Sequence, residues 1–182
     1  MLGIVFTEFM EMVETQFSED LLDDVLDSCN LASGGSYTSV GYYDYKEMIQ
    51  LVMALSKQVN VPVDELIEAF GTHMFGVLGG KYPVMLEGYA TTLDFLESVD
   101  GTVHKEVLKL YPDAELPHFS TERKSQGHLV MHYKSRRPFS NLALGLIKGS
   151  AQYFDEVLEI SFTSSQDESM YRTDFDIRVA DE

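Results

Sequence analysis

The chain has 182 residues, of which 45% are hydrophobic and 24% charged, and its 30 acidic and 13 basic side chains give a formal net charge of −17. That length and apolar content suit a folded domain and exclude a disordered polymer. A surface this negative repels phosphate backbones and anionic lipid, which argues against nucleic acid and membrane as partners. The single cysteine, Cys29, excludes an internal disulfide and a cysteine-based zinc cluster.

No apolar run reaches the ~20 residues of a membrane span. The N-terminus carries Glu8 and Glu11 early and has no basic stretch ahead of its apolar residues, so it does not read as a secretory leader. A cytoplasmic protein is expected.

Ile4, Val5, Phe9, Met12, Val13 and Phe17 recur at helical spacing, which predicts a helix over 3–17. Ser18 caps a second helix that opens on Glu19 and Asp20 and stops near Cys29. The Ser-, Gly- and Tyr-rich segment 31–43 is a loop. A third helix is expected over 44–59. A fourth covers 62–78, with Pro62 at its start and Gly79-Gly80 past its end. Gly71 interrupts the fourth, marking a kink or a close approach. Residues 81–90 read as irregular or briefly helical. Thr91 to Leu110 reads as one long helix with an apolar stripe of Leu93, Leu96, Val103, Val107 and Leu110.

The period then changes from helix to strand. His118 to Arg123 and His128 to Ser135 alternate about a Gln126-Gly127 turn. Pro138 precedes a helix over about 139–155. Glu156 to Thr163 and Tyr171 to Val179 are two further strands, joined by a polar turn from Ser164 to Ser169. The expected fold class is α+β: a helical N-terminal part, then ββαββ forming a C-terminal antiparallel sheet. One domain is expected over 1–182, with 1–60 as an N-terminal helical subdomain and 61–182 as the site-bearing part.

Two constellations carry chemistry. Six of the 13 basic residues fall between Arg123 and Lys148. Within that window Tyr133, Ser135 and Arg137 alternate, which on a strand lines up three donors on one face about 6–7 Å apart. Such a row suits a carboxylate-bearing ligand; the other readings are an exposed polar face, or Arg137 paired with a distant acid. The second is His104, bordered by Leu93, Leu96, Leu108 and Tyr111. It is either a satisfied core histidine or a lone axial ligand to a haem iron. His128 and His132 would lie about 13 Å apart on a strand, and His73 and His118 stand alone, so no metal cluster is expected. A large flat apolar ring with two carboxylates at its edge and an iron at its centre asks for the pair of constellations together.

The sequence resembles the H-NOX family, the haem–nitric oxide/oxygen binding domains related to the haem domain of soluble guanylate cyclase. The resemblance rests on Tyr133-Lys-Ser135-Arg-Arg137 (the family's Y-x-S-x-R) and on Val103-His104-Lys105-Glu106-Val107. The Met1-Leu-Gly3-Ile start, Ala69-Phe-Gly71, Leu116-Pro117 and Leu144-Gly-Leu-Ile-Lys-Gly149 match in the same order. It spans essentially the whole chain.

The resemblance implies an H-NOX-like fold with haem b between the helical part and the sheet. His104 would be the only protein ligand to iron. Tyr133, Ser135 and Arg137 would hold the propionates, and Pro117 would distort the ring. Val5, Phe9, Met74, Leu78, Leu142 and Leu146 would form the distal pocket. Family members that hold dioxygen tightly carry a distal tyrosine where this chain has Leu142, and Met74 replaces a polar residue of theirs. The expectation is a five-coordinate ferrous haem that binds NO and CO, forms no stable O2 complex, and is not an enzyme. The signal would pass to a separate protein, such as a histidine kinase or a cyclic-di-GMP enzyme. The alternative is a haem-less scaffold or interaction domain of the same fold.

Overall fold

A computed structural model describes residues 1–167 and 169–180. Four helices come first: α1 (Gly3–Gln16), α2 (Glu19–Asp27), α3 (Tyr45–Val59) and α4 (Val63–Lys81). Ser18 Oγ accepts from the Leu21 N–H and Asp44 from the Lys46 N–H, so side-chain caps start α2 and α3. Asn60 ends α3 in the left-handed conformation, φ 55°. Contrary to the sequence reading, α4 runs on through Gly79 and Gly80 to Lys81. The segment after it holds one 3₁₀ turn, Pro83–Met85.

The expected helix from Thr91 to Leu110 is three pieces. α5 (Thr92–Ser98) gives way to a π-helical turn, Val99–Val103, and then to α6 (His104–Leu110). The His104 N–H donates to Val99 O, five residues back. The turn is Val-Asp-Gly-Thr-Val, a run of β-branched residues and glycine with weak α preference. One extra residue in a turn rotates the next helical segment by about 100° relative to a continuous α-helix. Leu108, expected to border His104 on the apolar side, is 40% exposed.

The C-terminal part is β1 (His118–Ser125), β2 (His128–Ser135), α7 (Ser140–Tyr153), β3 (Leu158–Asp167) and β4 (Met170–Val179). The strands form one antiparallel sheet in the order β1-β2-β4-β3. β3 extends to Asp167, so Ser164 to Asp167, expected as turn, pair with β4 instead. Glu168 of that expected turn lies outside the described residues. Leu129, Met131, Tyr133 and Ser135 face inward on β2, with Phe175 and Ile177 beside them on β4. The outward face carries His128 bonded to Asp176 at 2.9 Å and His132 to Asp174 at 2.6 Å.

Two apolar clusters result. One is built on Phe6, Phe9, Val13, Val25, Leu51 and Leu55, the other on Leu93, Leu96, Leu129, Met131, Phe175 and Ile177. α4 and α7 contribute to both, and Leu146 packs against both. Their crossing is close. A Cβ on Gly145 would stand 2.0 Å from the Glu68 carbonyl oxygen, and one on Gly71 would stand 2.4 Å from that of Leu142. Gly71 therefore allows close approach. Thr72 Oγ1 donates to Gly145 O at 3.1 Å, and Lys148 pairs with Glu68 at 2.5 Å across the same seam. Lys81 pairs with the buried Glu8, tying the end of α4 to α1.

Gly145→Ala is expected to destabilise the fold by about 2 kcal/mol, because the clash is with backbone and outweighs the ~1 kcal/mol gained in helix propensity. Urea denaturation should show a lower midpoint; an unchanged or raised midpoint would mean the seam is not close-packed.

Candidate functional site

A cavity of about 320 Å³ lies between the α4–α7 wall, the start of α1, the π turn with α6, and the inner face of the sheet. Its walls are largely aliphatic and aromatic: Ile4, Val5, Leu78, Leu96, Val103, Val107, Phe119 and Leu142 are among them. The first residues reach it because a short bridge holds them. Tyr43 N donates to Met1 O at 2.9 Å and Gly3 N to Gly41 O at 2.8 Å.

His104, the first residue of α6, lines this cavity with its side chain 16% exposed. Asp100, in the π turn, faces it: Oδ1 lies 3.7 Å from His104 Nδ1. Asp100 is itself fixed, accepting from the Phe119 N–H at 2.8 Å and bonded to His118 Nδ1 at 3.1 Å. His118, expected to stand alone, belongs to this network. A carboxylate beside Nδ1 favours the proton there and leaves the Nε2 lone pair free, as in most metal-bound histidines. Burial pushes the imidazole pKa below its ordinary value, and Asp100 opposes that only in part. Burial thus favours the neutral form of the ring, which stands in an apolar setting. Among the described residues no cluster of three or more metal-ligating side chains occurs.

Tyr133 and Ser135 project from β2 into the cavity, but the strand ends at Ser135. Arg137 is not the third member of a strand row; the chain has already turned. The turn is held by the group itself. The Arg137 N–H donates to Ser135 Oγ at 3.0 Å, and the Tyr133 hydroxyl donates to Arg137 O at 3.2 Å. All three side chains still converge on the cavity. Arg137 Nη2 donates to Glu115 Oε2 at 2.6 Å, and the guanidinium lies 5.7 Å from the Tyr45 ring centroid. One of five guanidinium N–H groups serves Glu115, so the fork keeps capacity for another carboxylate, as does the Ser135 hydroxyl; the Tyr133 hydroxyl would have to give up Arg137 O to donate to one. Burial raises the Tyr133 phenol above its ordinary pKa, so it stays a donor.

Pro117 lines the cavity on the side of His104. Of the expected distal residues, Val5, Met74, Leu78, Leu142 and Leu146 line it and none carries a hydrogen-bond donor. Phe9 is the exception: it is fully buried, meets Phe70 edge-on with centroids 5.3 Å apart, and lies in the N-terminal core instead. Sequence reasoning missed Asp100, although its i−4 spacing to His104 was a usable signal. It also missed Glu115, which nothing in the sequence distinguished. Tyr82 and Tyr111 line the cavity too, where the hydrogen bond of the Tyr111 hydroxyl to Tyr82 is the main cause of a raised Tyr111 phenol pKa.

An imidazole with one free nitrogen, an aliphatic slot and a cluster of donors for carboxylates suit a haem group. Comparison with known proteins agrees. The family described as haem-NO-binding matches residues 2–162. The Fe(II) unliganded H-NOX protein from K. algicida is 36% identical with a TM-score of 0.93, covering 100% of this chain and 98% of that one. The H-NOX from Shewanella woodyi, solved with IWP-051 bound in the Fe(II)CO ligation state, is 43% identical with a TM-score of 0.82, covering 99% and 95%. Soluble guanylate cyclase gcy-35 of Caenorhabditis elegans is 25% identical over 146 residues, 75% of this chain but only 20% of the cyclase, so the chain spans about a fifth of that relative. No helix among the described residues is long and apolar enough to cross a membrane. The chain belongs to the haem-NO-binding, or H-NOX, family of haem-based gas sensors.

Proposed function

We propose that this chain holds haem b through His104, senses nitric oxide and passes the signal to a separate protein in the cytoplasm. The observation that carries the reading is one neutral imidazole in an apolar cavity that Tyr133, Ser135 and Arg137 also line. When bound, the haem supplies an iron with one open position for a diatomic gas. The remaining work belongs to the chain's own residues. His104 Nε2 would hold the iron, with Asp100 facing Nδ1 to favour that orientation of the ring. Tyr133, Ser135 and Arg137 hold the propionates, and Pro117 is assigned the contact that distorts the ring.

Val5, Met74, Leu78, Leu142 and Leu146 exclude water and offer no N–H or O–H on the distal side. Dioxygen depends on a buried donor far more than nitric oxide does, so this wall selects NO and CO over O2. The S. woodyi relative in its Fe(II)CO state supports the CO part of this reading. A change in the hold on His104 would be felt by the seven-residue α6, whose attachment is the wide π turn. Residues 1–60 would then shift against 61–182 where α1 and α3 pack on α4, a two-state change that a partner reads through different affinities for the two states. The chain itself is read as non-catalytic, with a histidine kinase or cyclic-di-GMP enzyme as the receiving protein.

Absorption spectra of the ferrous protein test the reading. NO and CO should each shift the Soret band, and air should yield no stable oxy spectrum; a stable oxy spectrum would refute the distal assignment. His104→Gly should retain haem weakly unless imidazole is added, and a normal five-coordinate spectrum without imidazole would refute the ligand.

The lowered His104 pKa sets a pH dependence. Below about pH 6.5 a histidine in the unfolded chain takes up a proton that the folded one resists. The stability from this site is therefore complete above that pH and is lost as pH falls through the lowered folded value. Acid titration should loosen haem ligation reversibly over that window, and an unchanged spectrum down to about pH 4 would contradict a ligand of this kind.

A further inference from the structure

Eight of the 13 Lys and Arg side chains lie within ion-pair distance of a carboxylate. Lys46, Lys57, Lys105, Lys134 and Arg136 have no such partner among the described residues. In a chain with 30 acidic residues, unpaired cations have many partners available and would be expected to scatter. Three of these five, Lys105, Lys134 and Arg136, instead line one groove of about 690 Å³. It lies outside the wall formed by His104 and Pro117, between α6 and the end of β2. Leu108, Leu116 and Met170 give it apolar surface.

The lining restricts what fits. Asp100 and Glu115 line it as well, but Asp100 is bonded to His118 and Glu115 to Arg137, so Lys105, Lys134 and Arg136 are the charges left to call for an anion; the net charge of −17 repels free anions at long range. An occupant must therefore be held by short-range contacts, with the charged and the apolar parts acting together. No phenylalanine, tyrosine or tryptophan lines the groove to stack a base, which disfavours a nucleotide. A peptide with carboxylates and aliphatic side chains matches both parts.

We infer that this groove docks an acidic, partly apolar segment of the partner protein, held by Lys105, Lys134 and Arg136, with an affinity that depends on the position of α6. The inference rests on the signalling role proposed above and deepens it. Lys105 follows His104 on α6, while Lys134 and Arg136 flank Ser135 at the end of β2. A segment bridging the two elements senses the distance between them, so any motion of His104 reaches the partner.

The test uses the full-length, haem-loaded ferrous protein and a short fluorescein-labelled peptide of alternating Glu and Leu, followed by anisotropy with and without NO. The wild-type protein should bind the peptide, and NO should change the affinity by at least about fivefold. The Lys105→Glu/Lys134→Glu/Arg136→Glu variant should bind roughly tenfold or more weakly with an unaltered Soret band, and Arg136→Glu alone should shift in the same direction. Lys46→Glu/Lys57→Glu should bind like the wild type. The inference is overturned if the wild type does not bind, if the groove variants bind as well as it does, or if the control variant loses as much. Displacement by ATP at concentrations no higher than the peptide requires, or equal affinity with and without NO, overturns it as well. Failure of the haem reading is distinguishable, because it removes the Soret band itself.

Discussion

A neutral imidazole can serve as a lone axial ligand in an apolar cavity only if one nitrogen keeps its proton and the other is left bare. For the proposed ligand His104 the group placed to do this is Asp100, which faces Nδ1 at 3.7 Å and is anchored by the Phe119 N–H and His118. The π turn makes the arrangement possible: it carries Asp100 and resets the helix so that His104, Val103 and Val107 line the cavity together. An unbroken α-helix would rotate His104 by about 100° relative to α5, and the cavity would lose either the ligand or part of its wall.

The opposite wall depends on a second constraint. α4 and α7 approach so closely at Gly71 and Gly145 that neither position has room for a methyl group. That contact brings Leu142 and Leu146 on α7 beside Met74 and Leu78 on α4, giving the distal side its donor-free surface. The same two helices contribute to both apolar clusters, so the cavity lies where the N-terminal helices and the sheet-bearing part share a wall. A change on the His104 side is thus well placed to alter how those parts pack.

Much of this is legible in the sequence because the signals are periodic or capped. Ser18, the 3.6-residue spacing of α1 and the alternation of β2 locate their elements to within a few residues. The errors have local physical causes. Val-Asp-Gly-Thr-Val carries no period that separates an α from a π turn, so helical spacing puts Leu108 on the wrong face. Ser164 to Asp167 looks like a turn by composition, but pairing with β4 overrides that preference. Phe9 is placed in the distal pocket by the resemblance alone; in the structure it packs edge-on against Phe70 and is not among the residues lining the cavity. The expected row of Tyr133, Ser135 and Arg137 is only partly a strand row: Arg137 reaches the cavity through a turn that Ser135 and Tyr133 hold, not through strand alternation. Glu115 and Asp100 act by proximity in space, which single-sequence spacing conveys poorly.

The most direct measurement is the resonance Raman spectrum of the ferrous, gas-free protein grown with 15N-histidine. If His104 is the axial ligand, the iron–nitrogen stretch moves to lower frequency on labelling, and the shift disappears in His104→Gly rescued with unlabelled imidazole. A stretch that ignores the label in the wild-type protein, or that still responds to it in the rescued variant, would contradict the assignment of His104.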